Sequence, residues 1–114
     1  MAKLVVLVTT HVEKTLAIAE AWQKAGAPGV TLVPSHGFRT LKERTRKLEL
    51  PHFVNLSTIL KQVDDTTQML LSVVDDHLVD ALIQATRSVL PERLTPRTGI
   101  GFVLDVDRIF GMEL

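Results

Sequence analysis

Apolar positions along the chain fall into four short β-like runs and two longer stretches of helical period. Leu4 to Val8 is a continuous, Val-rich apolar run, the pattern of a strand buried on both faces. Thr9-Thr10-His11 ends it, and a Thr there can cap the next element. Val12 to Ala25 has a helical period. Ile18, Trp22 and Ala25 recur on one side, and Leu16 and Ala19 widen the stripe. Gly26 supplies a left-handed C-terminus, with Pro28 just beyond. Val30 to Val33 predicts a second strand, and Pro34 removes a ladder donor, so that strand is an edge or ends there. Gln68 to Val74 predicts a third, with Met69, Leu71 and Val73 on one face and Leu70 and Val74 on the other. Asp75 or Asp76 is placed to cap a second helix, His77 to Val89, with Val79, Leu82, Ile83, Thr86 and Val89 as its buried stripe. Pro91 stops that helix. Gly99-Ile100-Gly101 leads into a fourth strand, Phe102 to Val106, and Arg108-Ile109-Phe110 is a candidate tail strand.

The pattern lapses between strands two and three. Gly37 lets the backbone turn sharply or lie close to a ligand. Thr40 to Lys47 is charged and without apolar period, an exposed loop by composition. Leu56, Ile59, Leu60 and Val63 predict a short helix, with Asn55 as its cap. A connection of this length, about residues 38–67, is usually functional or mobile in a small domain. The rest of the chain reads as a scaffold presenting the end of strand two and this loop.

The order β-α-β-β-α-β predicts an α+β, ferredoxin-like sandwich: a four-stranded antiparallel sheet with two helices on one face, in a single domain over residues 1–114. The other face is apolar as well, and nothing in the pattern covers it. Such a patch in water predicts that sheets from several copies pack together.

Composition narrows the partners. Thirteen basic and thirteen acidic residues cancel, so no global charge attracts nucleic acid or an anionic membrane. The single Trp sits on a helical stripe and Tyr is absent, which leaves no aromatic platform for stacking bases. With no Cys there is no disulfide, thiol chemistry or Cys-bound zinc, which fits a reducing cytoplasm. The first residues lack the pattern of a signal peptide, and no apolar run approaches a membrane span.

Several residues carry candidate chemistry. His11, His36, His52 and His77 invite a metal reading, but no pair has zinc-site spacing, and ordinary strand-end imidazoles are the commoner meaning. Asp75-Asp76 as a cation site competes with the capping role. Asp105 and Asp107 are paired carboxylates without a nucleophile motif, and a solvated edge accounts for them. Lys42, Arg44, Arg46 and Lys47 suit phosphate, acidic protein or RNA, and a solvated loop is the commoner meaning of such a run. Gly99-Ile100-Gly101 follows a connection with Arg93 and Arg97, where free backbone N–H groups would cradle an anion or merely turn into strand four.

In order and spacing, these pieces resemble the PII signalling proteins, the nitrogen-regulatory family. The resemblance spans nearly the whole chain: strand one, the helix closed by Ala25-Gly26, Gly29-Val30-Thr31, Gly37-Phe38-Arg39, the long loop, Asp75-Asp76, and Gly99-Ile100-Gly101. It implies a homotrimer with nucleotide bound in clefts between subunits and a long loop that engages a target protein, a transporter or an enzyme. By the same resemblance Thr31 lies near an adenine, Gly37 and Phe38 open the loop, and Arg39 matches the Arg of that motif, shifted by a missing glycine. Gly99 and Gly101 match the two glycines of the phosphate turn. Ile100 and Phe102 replace the family's Asp and Lys, which removes a charge-assisted contact. Arg108 stands near the usual C-terminal basic residues. The loop residues Lys42, Arg44, Arg46 and Lys47 would face the partner. The implied protein is a divergent, non-enzymatic, cytoplasmic regulator with no obligatory cofactor and ATP, ADP or AMP as effector. Two rival readings are a trimeric metal-ion-handling protein similar to the CutA proteins, and a small enzyme using Asp105, Asp107 or a His.

Overall fold

The computed structural model describes residues 1–38, 67–90, 94 and 98–114. Strand β1, Ala2–Thr9, runs through a 3-10 turn, Val12–Lys14, into helix α1, Thr15–Lys24. Strand β2 is Thr31–Ser35 and β3 is Thr67–Asp75. A second 3-10 turn, Asp76–Leu78, leads into helix α2, Val79–Val89, and β4 is Gly99–Asp105. The sheet order is β2-β3-β1-β4 with every pair antiparallel. This is the ferredoxin-like arrangement that the pattern predicts.

β1 is central because its side chains have apolar neighbours on both faces. Val5, Val6 and Leu7 are all buried. Val5 and Leu7 join Leu70 and Val74 of β3 under the helices, against Ile18 and Trp22 of α1 and Leu82 of α2. Full burial of an aliphatic side chain contributes roughly 1.5–3 kcal/mol, so this layer dominates the stability. Its one polar joint is the Trp22 indole, which donates to Thr86 Oγ1 at 2.8 Å, and that hydroxyl donates to the Leu82 carbonyl at 2.9 Å. Gly26 closes α1 at φ 116°, a conformation that favours glycine, with the Ala27 N–H bonded to the Trp22 carbonyl at 3.1 Å.

Six local expectations are corrected. The helix expected from Val12 is a 3-10 turn until Lys14, and Leu16 is 71% exposed rather than part of the stripe. A ten-residue helix on one sheet needs only the narrow face through Ile18 and Trp22. Thr9 does not cap α1; its Oγ1 accepts the His11 N–H at 3.0 Å, inside the turn. Asp75 makes no side-chain cap. Its carboxylate instead takes the N-terminal ammonium at 3.2 Å and the His77 ring. β4 begins at Gly99, three residues earlier than expected, so both glycines lie within the strand. A Cβ on Gly99 would come 2.6 Å from the Val8 carbonyl oxygen, which is why this pairing needs glycine there. Residues 108–110 form no strand.

Alternation places Leu4, Val6, Val8, Met69, Leu71, Val73, Ile100, Phe102 and Leu104 on the face away from the helices. Val6 is sealed at its centre, but Ile100, Phe102 and Leu104 on β4 are 58%, 41% and 51% exposed. The chain's own tail reaches this face where Met112 lines a hollow with Leu4, Thr31, Leu71 and Val73. The helices of the described residues are too short or too polar to cross a membrane.

Candidate functional site

The strand register determines where the candidate residues lie. One cross-strand row runs Thr31, Leu71, Val6, Phe102, and the next runs Val33, Met69, Val8, Ile100. Thr31 and Phe102 therefore share a level and a face, but stand on the two outer strands. Strands are about 4.8 Å apart, so β2 and β4 are separated by roughly 14 Å. Pro34, Gln68, Thr9 and Gly99 form another row. Gly37 and Phe38 continue beyond β2 at that same end, and Phe38 is 68% exposed. Both halves of the candidate site thus lie toward one end of the sheet, on opposite edges. Within one chain they do not meet.

The glycine pair does not form the expected convergent turn. The Thr10 N–H donates to the Thr98 carbonyl, and the Val106 N–H to that of Ala2. Antiparallel pairs alternate between bonded and non-bonded. It follows that the backbones of Ile100, Phe102 and Leu104 turn toward β1, while those of Gly99, Gly101 and Val103 turn to the open edge. The two glycine N–H groups are parallel donors, spaced along an edge that a neighbour or ligand can use.

Arg108 lies beyond the other end of β4, an end that is itself on the order of 20 Å along the strand from Gly99 at about 3.3 Å per residue. It is exposed, 3.9 Å from Asp107. Its own chain does not bring it to the glycines. Arg39, Lys42, Arg44, Arg46, Lys47, Arg93, Arg97, His52 and the helix expected at 56–63 lie outside the described residues.

Among the described residues the rival chemistries receive no assembled site. His11 sits 3.5 Å from Glu13, His36 follows β2, and His77 holds Asp75 at the opposite end of the sheet. Among the described residues no three His, Asp or Glu gather as a metal ion requires. Asp105 is bound by Lys3 across the β1–β4 pair, which raises the Lys3 pKa. Asp107 is on the surface. The Asp75 carboxyl is lowered to about 2, first by its hydrogen bond to His77 and then by the N-terminal ammonium.

Sequence reading passed over Arg87. This guanidinium lines a cavity between α2 and β4 together with Gly101 and Phe102. The signal was available: Arg87 follows Ile83 by four, so both project from one side of α2.

A family model described as Nitrogen regulatory protein P-II matches residues 1–112. No curated protein sequence matches the chain. Among solved structures, CPII from Thiomonas intermedia K12, bound to ADP and bicarbonate, superposes with a TM-score of 0.56 at 18% identity, over 92% of this chain and 85% of that one. CPII bound to ADP, AMP and bicarbonate gives 0.54 at 16%, over 94% and 91%. A PII-like signaling protein from Thermus thermophilus gives 0.57 at 17%, over 92% and 85%. At these identities the likeness is one of fold.

Proposed function

Since the chain belongs to the nitrogen regulatory protein P-II family, we propose that it is a trimeric, non-enzymatic regulator. An adenine nucleotide binds in the cleft between neighbouring copies and alters how residues 38–67 engage a partner protein, a transporter or an enzyme. One observation carries this reading: Thr31 with Gly37 and Gly99 with Phe102 lie on opposite edges of one sheet. A site that uses both must join β2 of one copy to β4 of the next. That contact is head-to-tail, and head-to-tail contacts form rings when the rotation closes. The exposed apolar row on β4 supports the same assembly.

The CPII structures hold ADP, AMP and bicarbonate, which makes these the first ligands to titrate. Ile100 and Phe102 supply no charge for phosphates, and the described cation of the family's C-terminal set, Arg108, is remote in its own chain. One charge-assisted hydrogen bond contributes about 1.5–3 kcal/mol, roughly ten- to a hundredfold in affinity. We therefore expect weak ATP binding with little gain from AMP to ADP to ATP. Calorimetry with the three nucleotides tests this. A steep gain per phosphate would show that a basic residue replaces the missing Lys. No binding by any of them would remove adenine nucleotides as the effector.

For the switch to work, nucleotide must favour one state of the 38–67 segment over another. Capture of the partner by the protein with and without AMP measures that difference directly.

A further inference from the structure

The cavity between α2 and β4 has a volume of about 280 Å³. Leu7, Trp22, Ile83 and Leu94 line it, Gly101 forms part of its floor on β4, and Arg87 is the charged side chain among the described lining residues. We propose that it is a second, intrachain binding site, for a small amphipathic monoanion: a compact apolar or aromatic body with one carboxylate. This goes beyond the nucleotide cleft, which needs two copies, although Gly101 and Phe102 border both.

Three observations converge. First, Gly101 has no structural requirement for glycine. It has no positive φ, unlike Gly26 and Gly111. A Cβ built on it would meet only Leu7 Cδ1 and the Val6 carbonyl, both at an ordinary 3.7 Å. Gly99, two residues earlier, is different, since its Cβ would run into the Val8 carbonyl. Glycine in a strand interior lowers stability and often marks close approach of a ligand. Here the missing side chain keeps open a space that Val or Ile would fill.

Second, the described walls are largely apolar, and the polar pair Trp22 and Thr86 is already satisfied by its own hydrogen bond. A ligand body entering the cavity meets hydrocarbon and ring. Third, Arg87 has no ion-pair partner among the described residues. A guanidinium beside an apolar hollow selects a planar anion, and carboxylate matches its fork. The volume is at or below the small end of ligand pockets, which begin near roughly 300 Å³. It accommodates a small metabolite and excludes a whole nucleotide.

The chain has one Trp and no Tyr, and that Trp lines the cavity. Its fluorescence is therefore a local reporter. Phenylacetate, its neutral analogue phenylacetamide, and acetate are titrated against the full chain by Trp22 emission and by calorimetry. We expect phenylacetate to bind and shift the emission, and the amide and acetate to bind at least about tenfold more weakly, the loss of one charge-assisted contact. Arg87→Gln, a change at an exposed residue, should bring phenylacetate down to the level of the amide. Gly101→Val should abolish binding of both while keeping the circular dichroism and the melting temperature, and Gly101→Ala should weaken both. Equal affinity for acid and amide in the wild type overturns the proposal. So does undiminished binding in Gly101→Val or, should that variant not fold, in Gly101→Ala, and so does silence toward phenylacetate at ten-millimolar concentration. AMP titration of Arg87→Gln separates the sites: nucleotide affinity should not change.

Discussion

Leu104→Asp should dissociate the assembly while leaving the chain folded. Leu104 is 51% exposed on the outer strand β4, on the face turned from the helices. Full burial of a Leu side chain contributes about 1.5–3 kcal/mol, so covering its exposed half adds roughly 1 kcal/mol per chain. The carboxylate removes that gain and adds a desolvation cost of several kcal/mol per ion. Three equivalent sites bring the total to about 10 kcal/mol, near seven orders of magnitude in the association constant. For a three-body equilibrium the midpoint concentration moves with the square root, about three orders of magnitude. Light scattering at low micromolar concentration should therefore show three-chain particles for the wild type and single chains for the variant. Far-ultraviolet circular dichroism should match, since the side chain lies outside the core cluster under the helices. A variant that keeps the wild-type mass would show that this face is not the interface. A wild type that runs as a single chain would refute the ring itself.

Thr86→Val should cost about 1–3 kcal/mol in urea denaturation, because it strands the indole N–H of Trp22, a residue only 1% exposed. Asp75 should contribute stability that is complete above the unfolded carboxyl range near pH 4 and is lost as pH falls toward its folded pKa of about 2. Asp75→Asn should flatten that part of the acid limb in a melting-temperature profile, and an unchanged profile would contradict the shift.

Much of the fold was legible because burial demands it. The Val-rich run of β1 is buried wherever a sheet flanks it on both sides, and it became one of the two inner strands. The stripe through Ile18 and Trp22 faces the core for the same reason. What was illegible depends on neighbours that sequence does not place. Leu16 looks apolar enough for the core, yet it stays exposed, and none of the described elements covers it. Asp75 precedes a helix as a cap would, but β1 brings the N-terminus and its charge beside it. Gly99 and Gly101 look alike in sequence, and only the approach of Val8 distinguishes them. The candidate site had the same difficulty. Its residues could be named, but the sheet order decided that two halves were on different edges.

That separation yields a test by complementation. In a head-to-tail ring every cleft takes β2 from one chain and β4 from the next. Thr31→Glu places a carboxylate on the first edge, and Ile100→Glu places one on the second; both positions are exposed in the single chain. The Thr31→Glu carboxylate crowds the adenine side at a desolvation cost and the Ile100→Glu carboxylate repels the phosphate, so each variant alone, checked to retain three-chain mass, should fail to bind AMP. Unfolding and reassembling an equal mixture forms rings with both chain types. A cleft is intact when its β2 comes from the Ile100→Glu chain and its β4 from the Thr31→Glu chain, which holds for about a quarter of clefts under random assembly. Calorimetry should then recover AMP binding with wild-type affinity at about a quarter of the wild-type stoichiometry. Sites contained within one chain could never be restored this way, since every chain carries a defect. Mixed rings of the right mass that bind no AMP would place both halves in one subunit, and AMP binding by either variant alone would exclude its edge from the site.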